Sequence, residues 1–191
     1  MLVPAHADPE YPLPILRKAN HRDAGQLAEL AESTFRDTFG AANATEDMDL
    51  HCSISYSAAI QAGEIANPER VTLLSEEGGR LVGFAQLRWG SAPACVAAAA
   101  PGEIQRLYVA ADWHGKGVAY QLMRACLDEL QARARDVVWL GVWEHNPRAL
   151  AFYRKYGFVE VGDHVFSVGG DPQRDIVMAR RLDRSCPAAR E

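Results

Sequence analysis

Apolar positions recur along this chain with two periods, and the change from one to the other marks its elements. In Glu103-Ile104-Gln105-Arg106-Leu107-Tyr108-Val109, Leu107 and Val109 alternate with polar or aromatic neighbours, the period-two pattern of a strand. The pattern breaks through Ala110-Ala111-Asp112-Trp113-His114-Gly115-Lys116-Gly117. Ala119, Leu122, Met123, Cys126, Leu127 and Leu130 then recur at spacings of three and one, the apolar stripe of an amphipathic helix. By parity, Glu103, Gln105, Leu107 and Val109 fall on one strand face.

The same reading extends to the rest of the chain. Ile15 to Ala19 predicts a short first strand, and Leu27, Leu30, Ala31 and Phe35 predict a helix from about Asp23 to Phe39, ended near Gly40. A second helix is predicted to start at Thr45, with Leu50, Ile54, Ala58 and Ile60 on its apolar face and Gly63 or Pro68 at its end. Val71–Ser75 and Arg80–Trp89 read as a hairpin turned at Glu76-Glu77-Gly78-Gly79. Residues Gly90 to Gly102 read as a mobile loop long enough to overhang a site. Asp136 to Val142 predicts a buried strand, Asn146-Pro147 the capped start of a helix closed by Gly157, and Phe158–Val161 with Asp175–Ala179 a last strand pair around a Gly- and Asp-rich loop. No repeat, heptad run or interior linker divides the chain. One domain is expected over 15–182, with a proline-rich disordered tail at 1–14 and a frayed tail at 183–191.

Composition changes this picture little. The 191 residues are 48% apolar and 24% charged, ordinary for a globular domain with a real core. A formal charge of −5 argues against general nucleic-acid binding, which shows as a basic surplus. The four cysteines, Cys52, Cys95, Cys126 and Cys186, form no CxxC pair and have no metal-ligand spacing with histidine, and Cys126 falls in the apolar stripe of the central helix. With no secretory leader and no apolar run near 18 residues, the expectation is a cytoplasmic protein without a membrane anchor or a metal.

The chemistry points to the break at 110–117. Glycines at 115 and 117 remove Cβ atoms where the N–H groups of a first helical turn are unpaired, and such a helix start attracts anions. The loop matches neither the nucleoside-triphosphate nor the dinucleotide glycine pattern. Its order is informative: strand, glycine loop and helix, then a strand, Asn146-Pro147 and Ala151-Phe152-Tyr153-Arg154-Lys155-Tyr156-Gly157-Phe158. That order resembles the GCN5-related N-acetyltransferase (GNAT) superfamily. His114-Gly115-Lys116-Gly117-Val118-Ala119 fits the family's Q/R-x-x-G-x-G/A loop at Gly117 and Ala119, and departs from it at His114.

The resemblance implies a mixed α/β fold: a mostly antiparallel sheet of six to seven strands, splayed between the fourth and fifth and flanked by about four helices. It implies acetyl-coenzyme A as acyl donor and direct transfer to the amine of a small molecule or peptide, with homodimers common. The diphosphate would lie on the N–H groups of Gly115, Lys116, Gly117, Val118, Ala119 and Tyr120 beside His114. Leu107, Tyr108 and Val109 would hold the acetyl and pantetheine groups, and Asn146 would reach the pantetheine amides or serve only as a helix cap. Tyr153 matches the family tyrosine that protonates the departing thiolate, and its alternative is a packed core tyrosine. Glu103 matches a glutamate that is the general base in some members; its alternative is an ordinary solvated carboxylate. Phe35, Thr38, Phe39, Trp113, Glu144, His164 and Phe166 are the acceptor-site candidates, and the segments at 34–40 and 162–166 resemble PaiA-like members. A non-catalytic acyl-coenzyme A module with the same fold is the alternative function.

Overall fold

The structure, a computed structural model, describes residues 13–182, so the expected tails lie outside the described residues apart from Leu13 and Pro14. In chain order the elements are β1 (Ile15–Lys18), α1 (Ala24–Phe39), α2 (Thr45–Ser55), α3 (Ala58–Ala66), β2 (Arg70–Glu77), β3 (Arg80–Trp89), β4 (Pro101–Val109), α4 (Val118–Ala132), β5 (Val137–Trp143), α5 (Pro147–Lys155), β6 (Val159–Val168) and β7 (Asp171–Arg181). The strands form one seven-stranded sheet in the order β1-β2-β3-β4-β5-β7-β6. β4 and β5 run parallel, joined through α4, and every other neighbouring pair is antiparallel.

Both faces of the sheet are covered. On one, Leu122, Met123, Cys126 and Leu130 of α4 pack with Leu73, Ala85, Leu87 and Ile104, and α5 adds Tyr153 against Val138, Leu140 and Phe158. On the other, Leu27, Ala31, Phe35 and Phe39 of α1 pack on Leu74, Leu81 and Phe84. Each fully buried Leu or Phe here contributes about 1.5–3 kcal/mol over leaving it in water. Cys126 is one of these core residues, as its place in the stripe predicts.

Five expectations are corrected. Among the described residues there are five α-helices where about four were expected, because the predicted 45–63 helix breaks at Tyr56-Ser57: the Tyr56 N–H ends α2 on Cys52 O, and the Ser57 hydroxyl caps α3. Its predicted apolar face is also wrong. Leu50 and Ile54 are exposed, while α2 buries Met48, His51 and Cys52. His51 stacks on Phe35 at 4.3 Å, a buried polar ring that hydropathy does not foresee. The loop 90–100 does not overhang a cleft. Val96 packs with Val137, Trp139 and Val177, and the Asp136 carboxylate accepts the Ala99 and Ala100 N–H groups.

The last hairpin is far longer than its apolar core suggested. Its tip is tied to α2, where Asp47 Oδ1 accepts the Gly170 N–H at 2.7 Å. The fifth correction concerns β4. Leu87 pairs with Ile104 and Gln86 with Arg106, so Gln105 is an extra, bulged residue. Beyond it Arg106 and Tyr108 join the face of Glu103, while Leu107 and Val109 join that of Ile104, and the simple parity fails.

Candidate active site

β4 and β5 share only three register pairs, Pro101–Val137, Gly102–Val138 and Glu103–Trp139, and then part. The Ala110 N–H bonds Val82 O on the β3 side. Strand alternation therefore turns the N–H and C=O groups of Val109 and Leu107 to the opposite edge, into the gap. A cleft of about 940 Å³ fills the splay and continues over the α1 side of the sheet. A buried strand edge without a neighbour leaves backbone donors for a ligand to satisfy.

The mouth of the gap is the start of α4. Gly115 and Gly117 have φ of +79° and +84°, a left-handed backbone that side-chain-bearing residues adopt at a cost. The first bond within the helix runs from the Gln121 N–H to Gly117 O, so the N–H groups of the preceding turn have no partner inside it. Gly115, Gly117, Val118, Ala119 and Tyr120 all line the cleft. His114 braces this mouth. Arg148 Nη1 donates to His114 Nδ1 at 3.1 Å, which makes that nitrogen an acceptor, so Nε2 carries the hydrogen and donates to Val109 O at 2.9 Å. The residue that breaks the expected loop pattern thus ties the end of β4 to the first turn of α5.

α5 begins as its sequence predicts. Asn146 Oδ1 accepts the Ala149 N–H at 3.0 Å with Pro147 in the first turn, which leaves the Asn146 amide N–H groups for the cleft that it lines. One face of α5 carries Phe152, Tyr153 and Tyr156, with Tyr153 buried against Phe158. The Tyr153 hydroxyl has no hydrogen-bond partner among the described residues, and the side chain lines the cleft. Burial pushes this phenol well above its ordinary pKa, with Cys126 adding to the shift, so it holds its proton throughout the physiological range.

The profile of the Acetyltransferase (GNAT) family matches residues 26–158. The chain belongs to the GNAT acetyltransferase family. It is 34% identical over 160 residues to an uncharacterized N-acetyltransferase of Mycobacterium tuberculosis, covering 84% of this chain and 98% of that protein. It is 29% identical over 165 residues to an uncharacterized N-acetyltransferase in the pepI 3′ region of Lactobacillus delbrueckii, covering 86% and 95%. Among solved structures it is similar in fold to the PaiA N-acetyltransferase of Thermoplasma acidophilum in complex with coenzyme A, with TM-score 0.68, 21% identity, and 87% and 98% of the two chains covered. The sheet splayed beside its fourth strand is the GNAT fold, as the sequence resemblance implies.

Within this GNAT cleft the predicted residues divide. Leu107, Tyr108, Val109, Trp113, His114, Gly115, Gly117, Val118, Ala119, Tyr120, Asn146, Tyr153, Phe35, Thr38, Phe39 and Phe166 line it. Lys116 does not; its ammonium lies 4.8 Å from the centre of the Trp113 ring. Glu144 does not; it accepts from Arg174 at 3.0 Å on the outer surface. His164 stands behind the wall, its Nε2 3.8 Å from Asp175 Oδ2. Glu103 is only 6% exposed and outside the lining, and Arg88 holds both its oxygens, Nη2 to Oε1 at 3.0 Å. A carboxylate locked in that fork is poorly placed to collect a proton from the cleft.

In the cleft's second half Phe35, Thr38, Phe39 and Phe166 are the residues the sequence pointed to, while His51, Tyr56, Trp143, Asp37 and Asp175 are not. Phe35, Phe39, His51, Tyr56, Trp143 and Phe166 form a continuous aromatic wall with ring centroids 4.3–5.7 Å apart. Asp37 and Asp175 add carboxylates to this half. Its two arginines are already neutralised, Arg88 by Glu103 and Arg106 by Glu64 at 2.7 Å. The other end carries Arg148 and Lys155 beside the α4 start. The cleft is therefore basic at one end and acidic and aromatic at the other.

Proposed function

We propose that this GNAT protein transfers the acetyl group of acetyl-coenzyme A directly to a primary amine, held with the donor in one ternary complex. The observation that carries the reading is the splay itself: one cleft joins an open helix start, an unpartnered buried phenol and an acidic aromatic chamber. The chain's residues fit the donor. The N–H groups of Val118 and Ala119 at the start of α4, which precede the first bond within the helix, suit the diphosphate, with Arg148 also in the lining. The free edge of β4 at Leu107 and Val109 supplies N–H groups for the pantetheine and for the thioester carbonyl, the stabilisation that acyl transfer needs as charge builds on oxygen. The Thermoplasma structure of the same fold is a complex with coenzyme A, which supports acetyl-coenzyme A as the donor.

Attack by the amine nitrogen forms a C–N bond at the carbonyl carbon, and collapse breaks the C–S bond. Tyr153, protonated and without another partner, gives its proton to the departing thiolate, and the proton shed by the new amide nitrogen restores it. The acceptor's remaining body sits in the aromatic chamber, where Asp37 and Asp175 favour a cation and the ring faces suit an ammonium or alkyl chain. A small-molecule or peptide amine meets these demands.

The test is thiol release from acetyl-coenzyme A against a panel of polyamines, aminoglycosides, amino acids and peptide N-termini. Release that depends on an added amine is expected. Tight acetyl-coenzyme A binding with no turnover on any amine would favour a regulatory acyl-coenzyme A module.

A further inference from the structure

With Glu103 held by Arg88, the proton of the acceptor's ammonium needs another destination. Asp175 is placed to receive it. It lies on β7 opposite Trp143 of β5 and His164 of β6, and lines the cleft with a side chain 13% exposed. His164, Nε2 to Oδ2 at 3.8 Å, is its one polar partner among the described residues. Asp23 is held by Arg17 and Asp136 by two backbone N–H groups, while Asp37, the other carboxylate that lines the cleft, is exposed.

The sheet makes room for the pair. A Cβ at Gly141 would stand 2.9 Å from His164 Nε2 and 3.1 Å from Asp175 Oδ2, so the two side chains lie over bare backbone of β5. That backbone is the far edge of the splay, beyond the last β4–β5 register pair at Trp139. Tyr153 reaches the same cleft from the α5 face. Asp175, in register with Trp143, whose ring packs on Phe39 of α1, lies toward the other face. The acid for the leaving thiolate and a free carboxylate for the incoming amine therefore flank the gap from opposite sides.

We propose that Asp175 is the general base of the reaction, with His164 as the residue that positions it. This rests on the amine-transfer reading above. The ammonium N–H gives its proton to the Asp175 carboxylate, the freed amine attacks the thioester, and Asp175 returns the proton to solvent after product leaves. Burial raises the Asp175 carboxyl to about 6 against the opposing pull of His164, which makes it a stronger base than an open carboxylate and still ionised at neutral pH. Tyr108 of β4 interacts electrostatically with it, and Arg106 of β4, His51 of α2 and Asp37 of α1 line the same cleft. β5 contributes none at Gly141 or Trp143, while Arg174 and Asp163 pair with each other on the exposed surface.

The experiment takes the acceptor that the wild-type protein turns over best and compares Asp175→Asn and His164→Gln. Asp175→Asn is expected to lose about 100-fold in kcat with an alkylamine at neutral pH, with acetyl-coenzyme A affinity unchanged. Methoxyamine, which enters as the free base, should recover most of that loss. The wild-type acidic limb in kcat/KM near pH 6 should vanish in Asp175→Asn and move to higher pH in His164→Gln, where the pull of His164 is gone. Wild-type turnover with Asp175→Asn within about 3-fold of it would overturn the assignment. If Asp175→Asn does not fold, the wild-type limb and its shift in His164→Gln decide; an unshifted limb overturns it. Wild-type protein with no amine-dependent release at all would remove the amine-transfer reading and this inference with it.

Discussion

Tyr153 and Glu103 show how far residue type alone can mislead about role. Both were matched to family positions, and both are buried, yet one opens on the cleft and the other is gripped by an arginine. Tyr153→Phe removes only the hydroxyl and leaves the ring packed on Phe158. It should lower kcat by about 100-fold with acetyl-coenzyme A affinity unchanged, measured by thiol release and by titration calorimetry. Glu103→Gln should act mainly on the fold. Arg88 is 39% exposed and can be rehydrated, so the loss should be about 1–2 kcal/mol of stability, read from a denaturant midpoint. A larger loss of turnover in Glu103→Gln than in Asp175→Asn would restore Glu103 as the base. His114 belongs at this scale too: its two ring nitrogens satisfy one carbonyl and one guanidinium, a bridging role set by the fold around it.

At the scale of elements, the loop into α4 combines a sequence signal with a conformational demand. Gly117 sits at φ +84° immediately before the helix, and its added Cβ would meet Leu13 Cδ2 at 3.1 Å. Gly117→Ala should cost about 1–2 kcal/mol of stability and weaken acetyl-coenzyme A binding more than acceptor binding, checked by thermal melts and by separate KM values. α2 and α3 illustrate the opposite case. α3 turns Gln61 and Glu64 towards Gln86 and Arg106 on the sheet, so a polar face is buried where periodicity expects an apolar one. The β4 bulge at Gln105 similarly reassigns every side chain beyond it, which no count of alternating residues reveals.

For the whole molecule, the cleft carries an electrostatic cost that the rest of the fold offsets. Asp23, lowered by its hydrogen bonds from Arg17, adds stability at neutral pH that is lost as pH falls through its depressed pKa. Asp175 has the opposite sign. Its folded pKa lies above the unfolded one, so the native state binds the extra proton and this group's contribution falls as pH rises from about 4 to about 6. Asp175→Asn should therefore melt at a higher temperature than wild type at pH 8, with the difference shrinking towards pH 4. That variant would be more stable and less active, as expected where a site holds a group the fold alone would reject. No helix among the described residues is long and apolar enough to cross a membrane.

What depends on local chemistry can be read from the chain alone. Strand, glycine loop, stripe and Asn-Pro cap are short-range patterns, and the residues they single out line one half of the cleft, Lys116 excepted. The other half of the cleft depends on how distant elements meet, although Phe35, Thr38, Phe39 and Phe166 are legible in the sequence as candidates for it. Its aromatic wall gathers rings from α1, α2, β5 and β6, and its Asp175–His164 pair joins the two strands of the last hairpin. Those contacts are long-range, and they are set by the register of β6 and β7, the break between α2 and α3 and the bulge in β4. Asp175 and Glu103 are both carboxylates on strands near the splay; which of them is free to take a proton depends on where Arg88 lies.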